Sequence, residues 1–123
     1  MNDKELLELA AKAAGYTLEE HYDDDQYYPW CVTTDAFWNP LLDDGDALRL
    51  AVKLGVRGYF DVEIQKGSVK VTSFSTKWRG KIFAFEPYEH TAYEEFKIRT
   101  EDPYAAIRRT IVKAVAEIGR EMK

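Results

Sequence analysis

The stretch Trp38–Gly55, WNPLLDDGDALRLAVKLG, combines an aromatic anchor, a stop, a helix cap, an apolar helix and a second stop. Asn39-Pro40 ends whatever precedes it, because the residue before a proline is pushed out of the α region. Trp38 beside it is a large apolar side chain that favours burial. Asp43 or Asp44 can cap a helix whose first turn also holds Asp46, which places carboxylates at the positive end of the helix dipole. Gly55 suits a left-handed C-terminal cap and predicts the helix end. At about 100° per residue, Asp46, Arg49 and Lys53 share one narrow strip, while Ala47, Leu48, Leu50, Ala51, Val52 and Leu54 cover the rest. The pattern predicts a helix buried on most of its circumference, a post against which a sheet and two other helices pack.

Those two other helices lie at the ends of the chain. Asn2 to Gly15 carries a capping box, with Asn2 as N-cap and Glu5 reaching back, and Leu6, Leu9, Ala10 and Ala13 form its apolar stripe with Leu7 and Ala14 beside it. Asp102-Pro103 opens the last helix with a cap and a proline at the first helical position. Tyr104, Ile107, Ile111, Ala114, Val115 and Ile118 recur at helical spacing, and Arg109, Lys113, Glu117 and Arg120 line the other face. Arg108 lies at the edge of the apolar stripe, so it either snorkels to water or meets an acidic partner.

Between the second and third helices the period changes from helical to two. Tyr59, Asp61 and Glu63 alternate with Phe60, Val62 and Ile64, and Gln65-Lys66-Gly67 makes a tight reversal into Ser68–Ser75. Lys81–Phe85 and Thr91–Arg99 continue the pattern, with Glu86-Pro87-Tyr88-Glu89-His90 as the turn between them. In Thr91–Arg99, Ala92, Phe96 and Ile98 share one parity with Glu94 among them. The expected fold is a single α+β domain over residues 1–123, a three- or four-stranded antiparallel meander with three helices packed largely on one face. Residues Tyr16 to Phe37 are the least regular part, with Trp30-Cys31-Val32-Thr33-Thr34 as a short edge strand. So long an irregular connection inside a compact domain is often functional.

Composition narrows the function classes. The single cysteine, Cys31, forms no internal disulfide, which suits a reducing compartment. The sequence shows neither a long apolar run nor a signal-peptide pattern, so the expectation is a soluble cytoplasmic protein without a membrane partner. The net charge of −5 is mild, but Glu19, Glu20 and Asp23–Asp25 form one acidic block, Asp43, Asp44 and Asp46 a second, and residues 86–102 hold a third. A phosphate backbone calls for a contiguous basic face, so direct nucleic-acid binding is not expected. Aromatic residues make up 14% of the chain, with eight tyrosines and three tryptophans, more than a core of this size needs. Some rings therefore belong on a recognition surface.

Catalytic patterns are sparse. His21 and His90 lack the spacing of a metal motif, and His21 beside Tyr22 and Asp23–Asp25 reads as a solvated polar loop. Asp43-Asp44-Gly45-Asp46 lacks the alternate ligands and closing glutamate of a calcium loop, and helix capping accounts for its carboxylates. No nucleophile elbow surrounds the serines, and the scattered glycines make no phosphate loop. The expectation is a protein with no enzymatic role and no cofactor. Two binding surfaces stand out. Tyr22, Asp23, Asp24, Asp25, Tyr27 and Tyr28 combine rings and charge for a protein partner. Lys77, Trp78, Arg79 and Lys81 surround a ring with cations, as a nucleotide-like small molecule would require, although a hairpin aromatic covering the sheet edge explains the same residues.

The segments LLELAAKAAG, WNPLLDDGDALRLAVKLG and AAIRRTIVKAVAEIG together resemble small accessory proteins encoded by bacteriophages and prophages of Gram-negative bacteria. The distinctive part is W-N-P-x-x-x-D-G-D-A-L-R-L-A, from Trp38 to Ala51, and more loosely the chain is similar to the NinX type, which also sets a W/Y-N-P element before a helix. The resemblance implies an accessory role in the infected bacterial cytoplasm and supplies no catalytic residues. On this reading the protein acts by binding a host bacterial protein, as a counter-defence inhibitor of the anti-CRISPR kind. The alternative is a module that sequesters a nucleotide-like signalling ligand, and both a monomer and a homo-oligomer remain open.

Overall fold

A computed structural model of the chain describes residues 2–57, 59–79, 82–95 and 102–122. Its elements are α1 (Asp3–Ala14), five two-residue strands β1 (Leu18–Glu19), β2 (Tyr22–Asp23), β3 (Gln26–Tyr27), β4 (Trp30–Cys31) and β5 (Ala36–Phe37), then α2 (Asp44–Arg57), β6 (Tyr59–Gln65), β7 (Ser68–Arg79), β8 (Ile82–Glu95) and α3 (Pro103–Glu121). The fold is α+β, and the principal sheet is an antiparallel meander in the order β6-β7-β8.

The register gives the sheet two unlike faces. Val62 pairs with Val71 and Val71 with Ala92, while Ile64 pairs with Val69 and Val69 with Glu94, so these six side chains share one face. Val69 and Val71 are fully buried there, under α2 and α3. The opposite face presents Asp61, Glu63, Lys70, Tyr93 and Glu95, with Tyr93 56% exposed. This is the arrangement an antiparallel sheet adopts when helices cover one side only. Glu94 is the polar exception on the covered face, and α3 answers it: Lys113 Nζ donates to Glu94 Oε1 at 2.6 Å, with Arg109 at 3.9 Å.

The structure joins two segments that the sequence suggests as separate strands. Residues 86–90, expected to form a turn, run as strand inside β8, and the reversal from β7 falls instead between Arg79 and Ile82. Pro87 lies where the β7–β8 register is irregular, between the Ser75↔Tyr88 and Lys77↔Ala84 pairs, and β8 is an edge strand. A proline lacks the ladder donor, and an edge bulge is where a strand tolerates that loss. The Phe96–Arg99 continuation lies outside the described residues.

The helix ends follow local rules. Asn2 Oδ1 accepts from the Glu5 N–H at 2.8 Å, and Gly15 closes α1 with φ 76°. Asp43 caps α2, its Oδ2 accepting from the Asp46 N–H at 2.7 Å. Asp102 caps α3 ahead of Pro103. Two expectations for α2 are corrected. The helix passes through Gly55 to Arg57, and Leu48 and Val52, one turn apart, are 65% and 57% exposed. Its buried side is the narrower set Asp46, Ala47, Leu50 and Leu54. The post of the fold is instead α3, which meets α1, α2, β7 and β8 and buries Ile111, Val112, Ala114, Val115, Ala116 and Ile118. Tyr104, read as part of that stripe, is 64% exposed.

Helix α1 packs chiefly on α3. Asp3 pairs with Arg109, the Leu9 backbone meets Gly119, and Lys12 Nζ donates to the Met122 carbonyl, so the two helices run side by side in the same direction. Alanines at 10, 11, 13 and 14 allow that approach. Arg108 finds the acidic partner: Nε donates to the Leu41 carbonyl at 2.9 Å and Nη1 to Asp44 Oδ1 at 2.6 Å, tying α3 to the start of α2.

Candidate acidic and aromatic recognition face

Residues 16–38 form a small, aromatic-rich layer anchored to the start of α2. Trp38 is buried, its N–H donates to the Pro29 carbonyl at 2.9 Å, and its ring meets Tyr16 edge-on at 5.7 Å. Asn39 is the hub. Its Nδ2 donates to the Tyr27 carbonyl, its Oδ1 accepts from the Leu41 N–H, and its own N–H donates to Asp46 Oδ2, each at 3.0 Å. Its carbonyl also accepts from the N–H groups of Leu42 and Asp43. Asn39 is 1% exposed, so its polar atoms are satisfied by protein and fix the loop to the helix.

The expected edge strand at Trp30–Thr34 is shorter and differently placed. Only Trp30–Cys31 is strand, and it lies in the middle of β1-β4-β5, with Leu18 opposite Cys31 and Trp30 opposite Phe37. The chain reverses through residues 32–35, with Asp35 at φ 55°, and returns as β5 to cover the side of β4 that would otherwise be open.

Strands β2 and β3 form a separate hairpin, Tyr22 opposite Tyr27 and Asp23 opposite Gln26. Its two-residue turn is Asp24-Asp25, with φ 47° and 64°. Positive φ at both central residues is the signature of the primed hairpin turn, and aspartate is among the few side chains that tolerate it. The acidic run therefore has a structural task, setting the turn, in addition to its charge.

Alternation along this hairpin divides the residues that sequence reading grouped together. Tyr22 and Tyr27 share one face, with ring centroids 5.6 Å apart. Lys4 of α1 approaches that face, its Nζ 5.5 Å from the Tyr27 ring centre and 3.4 Å from the Tyr22 hydroxyl, and it also pairs with Glu20. Glu20 first, and then the Tyr22 hydroxyl, raise the Lys4 pKa. Tyr27 is only 8% exposed, so it is a core residue that supports Tyr22 from below, a correction to its placement on a partner-binding surface. Burial raises the Tyr27 phenol pKa.

His21, Asp23 and Tyr28 take the other face and, with Phe37 of β5, line an open cleft of about 210 Å³. Phe37 is the centre of a ring cluster: His21 tilts against it at 4.7 Å, Trp30 meets it edge-on at 5.0 Å, and Tyr28 stands nearly perpendicular at 6.1 Å. Phe37 is nevertheless 48% exposed. The Tyr28 phenol pKa is raised, first by burial and then by the Asp46 and Asp43 charges.

Four acids near this layer are engaged: Glu20 with Lys4, Asp43 and Asp46 with Arg49, and Asp44 with Arg108. By contrast, among the described residues no cation or hydrogen-bond donor engages the side-chain carboxylates of Asp23, Asp24 or Asp25, and all three residues are exposed. Sequence reading missed Phe37, and it took His21 for a solvated loop residue. The available signal was the two-residue turn itself, since Asp24-Asp25 at its centre puts His21 and Asp23 on the face of Tyr28.

The second surface suggested by the sequence is not described at the side-chain level. Lys77, Trp78 and Arg79 end β7, with Trp78 opposite Phe83 in register, but their side chains and Lys81 lie outside the described residues. The His90 side chain lies outside them too. Among the described residues, no group of three or more His, Cys, Asp or Glu is placed to hold a metal ion, and no helix is long and apolar enough to cross a membrane. Comparison with protein-family models, curated proteins and solved structures found no match to this chain.

Proposed function

We propose that this protein acts by binding, without catalysis, and that its recognition face is the β2–β3 hairpin with the Phe37 cleft beside it, directed at a basic surface on a protein partner. The observation that carries the reading is the unpaired acidic tip: Asp23, Asp24 and Asp25 project next to a half-exposed ring cluster, while Glu20, Asp43, Asp44 and Asp46 are paired with cations of the fold. Free charge accelerates encounter with an oppositely charged surface, and exposed rings on a packed base supply the short-range contacts. The hairpin is pinned through the Tyr27 carbonyl to Asn39, so the face is held in place before a partner arrives. Together with the sequence resemblance to phage accessory proteins, this supports a counter-defence role in which the acidic face occludes a basic channel of a host immune protein.

The test is capture of partners from infected cells by the wild-type protein and by a triple variant, Asp23→Asn, Asp24→Asn and Asp25→Asn. Asparagine removes the charge yet accepts the positive φ of the turn, whereas charge reversal with lysine would disturb the hairpin as well. A specific partner should be recovered with the wild type, lost with the triple variant, and released by moderate salt. Equal recovery of the same partner by both proteins would reject this face.

A further inference from the structure

The cleft on the outer face of the hairpin is too small for most organic ligands and too well lined to be only surface relief. Sites for drug-sized molecules occupy about 300–1,000 Å³, against about 210 Å³ here. That volume suits a single side chain. Its walls are three rings, His21, Tyr28 and Phe37, with Tyr28 and Phe37 at 84° to one another, and one carboxylate, Asp23. Near-perpendicular rings present π faces in two directions, and a π face attracts a cation. The carboxylate supplies the matching negative charge, with Asp24 and Asp25 following it in the hairpin turn.

We infer that this cleft is the seat for one arginine side chain of the partner, the guanidinium lying on the Phe37 ring and donating to Asp23; this rests on the binding reading above and specifies its anchor. Arginine fits these walls better than lysine. Its planar guanidinium stacks on a ring and donates two parallel N–H bonds to a carboxylate, while the ammonium of lysine is compact and strongly hydrated. The opposite face of the same hairpin cannot serve, because Lys4 already occupies it with its cation beside Tyr22 and Tyr27. That internal contact shows the same chemistry, a cation set against hairpin tyrosines, used once within the fold.

The experiment is an NMR titration of the full chain with two peptides, acetyl-Gly-Arg-Gly-Arg-Gly-amide and its lysine counterpart, at low salt. The arginine peptide should shift the His21, Tyr28 and Phe37 ring signals and bind at least about threefold more tightly than the lysine peptide. Phe37→Leu keeps an apolar side chain and removes the π face, and it should weaken arginine binding by roughly threefold to tenfold. Phe37→Tyr should retain binding, and Glu63→Gln, on the open face of the principal sheet and outside the recognition face, should change it by less than about twofold. Thermal melts of each variant establish that the fold is intact. Equal affinity for the two peptides, or arginine binding indifferent to Phe37→Leu and Asp23→Asn, overturns the arginine seat. If neither peptide binds while partner capture is still lost in the triple asparagine variant, the seat is wrong and the acidic face stands. If neither peptide binds and capture survives that variant, both fall.

Discussion

Replacing Gly119 by alanine sets two calculable effects against each other. Alanine is the better helix former by about 1 kcal/mol, so position 119 near the end of α3 would gain if nothing stood in the way. The structure places an obstacle there. A Cβ at 119 would lie 2.0 Å from the Leu9 carbonyl oxygen and 2.8 Å from the Leu9 carbonyl carbon. An unstrained carbon–oxygen approach is about 3.3 Å or more, so α1 would have to retreat by roughly 1.3 Å along a seam that buries Leu6, Leu7 and four alanines. Gaps of about 0.5–1 Å already forfeit a quarter to a half of the dispersion attraction, and overpacking typically costs about 1–3 kcal/mol. With the obstacle in the backbone, the upper end applies, and after the helix-propensity gain the net loss is about 2 kcal/mol. At about 4 °C per kcal/mol for a chain of this size, the melting temperature should fall by about 8 °C. The assay is a thermal melt followed by circular dichroism, with urea unfolding as a second measure. Because the clash is with the Leu9 main chain, adding Leu9→Ala should give no rescue. A Gly119→Ala protein that melts at or above the wild-type temperature would falsify the close parallel packing of α1 on α3.

Two further outcomes test the support beneath the recognition face. Asn39→Ala should destabilise the protein by about 3 kcal/mol or more, since it strands the buried Tyr27 carbonyl and Leu41 N–H at about 1–3 kcal/mol each; a loss under about 1 kcal/mol in urea would show that Asn39 is not the hub. The phenols of Tyr27 and Tyr28 have raised pKa values, chiefly through burial, so ionisation is easier in the unfolded chain, whose tyrosines titrate near the ordinary value of about 10. Their contribution to stability is therefore complete below about pH 10 and lost as pH rises above it. Absorbance titration should show a late-ionising class of tyrosines that shrinks in Tyr27→Phe and shrinks further when Tyr28→Phe is added, and a single titration at the ordinary value would contradict their burial.

Where interactions are local, sequence is a sufficient guide. Asn2 and Asp102 cap their helices, Gly15 ends α1, and Pro103 sits at the first helical turn, because each depends on side chains within three or four residues. The period-two pattern likewise anticipates the two faces of β6 and β7. Asn39-Pro40 could be read as a stop, but its role as hub could not, since Tyr27 and Asp46 reach it from either side.

Identity and spacing of the residues determined the three helices, their N-terminal caps and the alternation along β6 and β7, all set by short-range sterics and hydrogen bonds. Tertiary structure alone decided which apolar side chains find a cover. Leu48 and Val52 are as apolar as Leu50 and Leu54, yet they face solvent because α3 and the sheet meet only one side of α2. It also decided that Pro87 lies within an irregular edge strand, and that Phe37 comes back beside His21, Asp23 and Tyr28. Burial and proximity are properties of the assembled surfaces, and a one-dimensional pattern cannot specify which of two equally greasy faces the rest of the chain will reach.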